Sequence, residues 1–122
     1  MQKDYNSLPM MMDEVDITRT VSEILSEARQ SPAPPALDVA DALVEMVARQ
    51  TSHFRPFAAD VAASIERWVV SAWQPTSAEL ADALATLIAN TDSGPGRRLL
   101  EESRSSADPE IRRIAEETLA EM

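Results

Sequence analysis

The sequence contains no cysteine, one histidine and two glycines in 122 residues. Without cysteine there is no disulfide framework, no thiolate metal site and no cysteine nucleophile, and a lone histidine cannot build a multi-histidine metal cluster. Gly94 and Gly96 cannot supply the glycine-rich loops that cradle nucleotide phosphates. These absences predict a chain with no cofactor and no metal, and they weigh against an enzyme. Lysine is scarce as well: Lys3 is the only one among 11 basic side chains, set against 21 acidic ones, for a net charge of −10. Nucleic-acid binding driven by counterion release needs clustered Lys and Arg, so this balance points away from nucleic acid and toward a basic partner. No stretch approaches the roughly 18 consecutive apolar residues of a membrane span, and the first dozen residues lack a basic start followed by an apolar run. The expectation is a cytoplasmic protein with no membrane contact.

What is present is 44% apolar and 26% charged residues, enough for one compact domain with its own core. Residues 1–12 show no period and contain Pro9, so they read as a flexible N-terminal arm in front of a single domain over 13–122. From there every periodic segment is helical. Ile17, Val21, Ile24, Leu25 and Ala28 share a face over 14–29, with Asp13 or Asp16 as N-cap. The prolines of SPAPP (31–35) break the chain before a second helix over 36–50, which carries Leu37, Ala40, Leu43, Val44 and Val47.

A third helix is expected over 54–73, with Pro56 tolerated in its first turn. It is apolar on most sides, which predicts the centre of the fold. Thr76 and Glu79 are spaced as a capping box for a fourth helix over 77–90. After TDSGPG a short helix over about 95–105 carries Leu99 and Leu100, and Asp108-Pro109 opens a sixth with Ile111, Ile114, Ala115, Leu119 and Met122 on one face. Arg112 is placed to pair with Glu116. No segment alternates with period two. The fold class is therefore all-α, with about six helices in stacked antiparallel pairs.

Residues 97–122 (RRLLEESRSSADPEIRRIAEETLAEM) combine paired leucines, a polar turn and an Asp-Pro-x-hydrophobic-Arg opening followed by Ala and Leu at helical spacing. Through Asp108, Pro109, Ile111, Arg112, Ala115 and Leu119 this part resembles HEAT-type helical repeats of the short bacterial kind. The resemblance implies stacked helix pairs and protein binding on a concave surface. Thr76 to Leu80 does not repeat the opening, since it lacks both the proline and the arginine.

Candidate functional residues are mostly acidic. Asp38, Asp41 and Glu45, at i, i+3 and i+7, line one stripe of the second helix, and Glu79 and Asp82 repeat the arrangement on the fourth. Stacking those helices would merge them into one patch. Lysine at positions 41 and 45 is expected to leave folding nearly intact, as for most exposed charge changes. Paired carboxylates also do acid–base hydrolysis, but that requires one raised pKa in a cleft. Arg97 and Arg98 fall in the first turns of the fifth helix, where the dipole disfavours cations, which makes them partner-contact candidates or partners for Asp92, Glu101 or Glu102.

His53 reads as a neutral turn histidine, Trp68 and Trp73 as core, and Asp13-Glu14-Val15-Asp16 as helix-start chemistry. The sum predicts a non-enzymatic protein-binding module. Its first form is an immunity-type protein that covers a basic toxin with an acidic surface. Its second is an acidic HEAT-like adaptor for a peptide or partner helix, and a carboxylate-based hydrolase comes third.

Overall fold

The computed structural model describes residues 4–74, 77–91 and 94–122. Among these residues six α-helices carry the fold: α1 (Glu14–Ala28), α2 (Ala36–Thr51), α3 (Ala59–Ala72), α4 (Ala78–Thr91), α5 (Gly94–Ser103) and α6 (Pro109–Glu121), preceded by a 3-10 turn at Tyr5–Ser7. Among the described residues there is no strand, so the protein is all-α. Consecutive helices pack as pairs, α1 on α2, α3 on α4 and α5 on α6. The pairs stack so that α4 touches α2 and α6 while α3 touches α1 and α5.

The helix ends follow from the local residues. Asp13 Oδ1 accepts the N–H of Asp16 at 2.8 Å, and Asp108 Oδ1 accepts the N–H of Glu110 at 2.9 Å, each satisfying a donor that the helix start leaves free. At α4 it is Ser77 whose hydroxyl accepts the N–H of Leu80, at 3.2 Å. Thr76, expected there as the cap, lies outside the described residues, as does Asp92. Arg112 reaches back to donate to the Ser106 carbonyl at 3.0 Å instead of pairing with Glu116.

The centre of the fold is α4, not α3. Leu80, Ala81, Ala83, Leu84, Ala85, Leu87 and Ile88 are all buried, because α4 is packed against α2, α3, α5 and α6 at once. In α3 only Val61, Ile65 and Val69 are buried, and Val70 is exposed. The misreading has a simple cause. Much of the apolar surface of α3 is alanine, which reads as hydrophobic but gains little from burial, whereas α4 sets Leu80, Leu84, Leu87 and Ile88 among its buried alanines. The helix also starts late. Pro56 disfavours α geometry at Arg55, and residues 52–58 form an irregular connection in which the Gln50 side-chain amide donates to the Arg55 carbonyl at 3.2 Å. Pro56 therefore precedes α3 and takes no part in its first turn.

Residues 4–12 lie against the helices. Tyr5 is buried at 2% exposure, and Leu8 and Met12 pack on the core. Arg49 of α2, 1% exposed, holds this segment by donating from Nη2 to the Leu8 carbonyl at 2.9 Å and from Nε to the Pro9 carbonyl at 3.0 Å.

Candidate functional site

The helical repeat sets Asp38, Asp41 and Glu45 along one side of α2, and the packing of α4 on α2 brings Glu79, in the first turn of α4, to the same side. Asp38, Asp41 and Glu79 are exposed and Glu45 is half-buried. The Asp41 carboxyl is pushed above the usual carboxylate range, first by partial desolvation at the helix surface and then by repulsion from Asp38, Glu79 and Glu45. Glu79 thus acts on Asp41 from a second helix, which joins it to the α2 stripe in one negative patch.

Asp82 is exposed one turn further along α4, and it is not among the carboxylates that act on Asp41. Arg97 and Arg98 are exposed on α5, whose neighbours are α6, α3 and α4, and among the described residues neither makes an ion pair. They form no part of the α2 patch.

Glu45 differs from its neighbours. Its Oε2 accepts from Arg49 Nη1 at 2.8 Å, and the same nitrogen donates to the Glu45 carbonyl at 2.9 Å. The guanidinium is fully enclosed, so Glu45 is its only carboxylate counterion among the described residues. Lysine at 45 would set a cation against a buried cation, which overturns the expectation that this substitution leaves folding intact. The residue that sequence reasoning missed is Arg49. Its signals were the Glu45 spacing of i, i+4 and its place beside Met46 and Val47 on the buried side of the helix.

The other residues singled out from the sequence make local contacts. His53 Nε2 lies 2.6 Å from the Met12 carbonyl, and since a carbonyl only accepts, that nitrogen carries the proton and donates. Trp68 and Trp73 are half-buried against the core. The tetrad at 13–16 supplies the α1 cap, a Glu14 pair with Arg55 and an Asp16 pair with Arg19. Among the described residues no group of His, Cys, Asp and Glu is arranged to hold a metal ion, and no helix is long and apolar enough to cross a membrane.

The clefts around α1 are lined by other residues, among them Thr18, Ser22, Arg29 and Asp60 in one and Tyr5, Glu23 and Glu27 in another. No protein-family model, no curated protein and no solved structure matches the chain.

Proposed function

We propose that the protein is a non-enzymatic binding module that offers the carboxylates of Asp38, Asp41 and Glu79 to a basic protein, in the manner of an immunity protein covering a basic toxin. The supporting observation is the raised Asp41 carboxyl, to which Asp38 and Glu45 of α2 and Glu79 of α4 contribute by repulsion after partial desolvation, so acidic groups from two helices lie together on one open surface. Such crowding costs the free protein stability and is relieved when a cationic surface approaches. A hydrolase reading would need those carboxylates in a cleft, and their exposure favours binding over catalysis. A second reading, an acidic HEAT-like adaptor taking a partner helix, draws on the pair-by-pair stacking of the six helices.

The test uses a partner captured from the native host and then purified. Asp41→Lys with Glu79→Lys should fold as the wild type does, bind with an association rate at least tenfold slower at low salt, and lose that difference at high salt. Equal rates for both proteins at low salt would remove the patch from the interface.

A further inference from the structure

Four large apolar side chains stand in solvent on two segments that meet: Phe54 at 96% exposure, Met11 at 79%, Val15 at 74% and Met10 at 63%. They come from two segments 40 or so residues apart, and the fold fastens those segments together. His53 donates to the Met12 carbonyl, and Arg55 donates through Nε to Glu14 Oε1 at 2.9 Å, so Phe54 sits between two anchors that grip the Met10–Val15 stretch. The neighbouring Leu8 and Pro9 carbonyls are held in turn by buried Arg49. The patch is thus mounted on fixed backbone.

Phe54 has φ of 56°, in the left-handed region that aromatic residues rarely occupy. A strained backbone that turns a phenyl ring fully into water gains nothing for the isolated chain, and such outliers collect at contact sites.

Charge decides what can cover it. Over most of the surface a net charge of −10 repels a second copy, most strongly at Asp38, Asp41 and Glu79. At this patch two of the carboxylates are matched, Glu14 by Arg55 and Asp16 by Arg19, and both guanidiniums are more than half exposed. Asp13, exposed beside them, gives the rim an acceptor for an arginine of a second molecule. In area, four such side chains contribute about 500 Å² per molecule, so two copies reach about 1,000 Å², the lower bound of a specific interface.

We propose that this patch is a homodimer interface, with the Phe54 rings of two copies packed against the Met10, Met11 and Val15 side chains of each other about a two-fold axis. The surface is separate from the acidic patch, and the proposal does not depend on the reading given for that patch.

Sedimentation equilibrium of the full chain from micromolar to millimolar concentration tests it. Wild type should show a reversible monomer–dimer equilibrium that tightens as salt rises, because salt screens the net repulsion and leaves apolar contact in place. Phe54→Gly suits the left-handed backbone, so it should fold at least as well as wild type while its dimer weakens at least tenfold. Met11→Ser should weaken it too, without touching the strained residue. A wild-type chain that stays monomeric throughout, a dimer unchanged in Phe54→Gly, or a dimer that loosens as salt rises would each overturn the proposal.

Discussion

Arg49 donates to the carbonyl of Pro9 across 40 residues of chain, and through that bond a buried guanidinium on α2 ties down the segment ahead of α1. The fork geometry matters: Nε and Nη2 serve two successive carbonyls, while Nη1 serves Glu45 twice. Arg49→Leu fills the space but leaves two carbonyls without their donors, at an expected cost of about 2–4 kcal/mol in urea denaturation. Arg49→Lys should recover little of it, because an ammonium cannot span the same acceptors. Limited proteolysis between residues 8 and 12 should rise in both variants, and wild-type cleavage rates in Arg49→Lys would show that charge alone suffices.

The single tyrosine provides an optical test of the same segment. Burial, with the nearby Glu27 and Glu23 carboxylates, pushes the Tyr5 phenol up from 10.0 to about 12. In the unfolded chain the phenol ionises near 10.0, so folding is unaffected by this group below that pH and loses stability as pH rises from there to about 12. At pH 11 the loss should be about 1 to 2 kcal/mol. Phenolate absorbance in the folded protein should titrate near 12. Tyr5→Phe should remove the alkaline loss, and a native phenol titrating near its ordinary value would mean the segment is not docked.

Helix existence was legible because each helix is marked twice, by a period of 3.6 and by a stop or start residue such as Asp13, Asp108 or the 31–35 prolines. What could not be read was how many neighbours each helix would have. A one-sided pattern announces one partner, but α3 and α4 are both apolar on several sides, and only packing reveals that α4 meets four helices. The docking of residues 4–12 was equally hidden, since it depends on main-chain carbonyls, which carry no sequence signal, meeting a side chain far along the chain. The acidic stripe of α2 was visible from spacing, and its joining with Glu79 followed from stacking. The separate task of Glu45 did not.

The C-terminal pair should fail when its narrow apolar face is interrupted. Ile114 and Ala115 are the buried residues of α6, and they face α4 and α5. Ile114→Asp places an unpaired carboxylate there, with an expected cost of about 3 kcal/mol or more. Hydrogen exchange should show α5 and α6 losing protection before α1 and α2, whose contacts lie elsewhere. A variant with the wild-type melting temperature would mean that α6 is not held by this face.

The acidic patch makes its own prediction about pH. Because the Asp41 carboxyl is raised above its ordinary value of 3.8, the folded state holds that proton more tightly than the unfolded chain does. The sign follows: the stability tied to this proton is fully present below 3.8 and is lost as pH rises through the raised folded value. Asp41→Asn removes the ionised form, so the variant should be more stable than wild type at pH 7, by under about 1 kcal/mol for a group so open to water. The gain should shrink to nothing below pH 3.8, where wild type is protonated as well. Salt separates the two causes. Repulsion from Asp38, Glu79 and Glu45 is screened at 1 M, whereas desolvation, the largest single cause, is not, so part of the gain should survive high salt. Paired urea titrations of wild type and variant at pH 3, 5 and 7, with and without salt, measure all of this. A variant less stable than wild type at pH 7 would mean that Asp41 is stabilised as a carboxylate, and the crowding that supports the binding surface would then be absent.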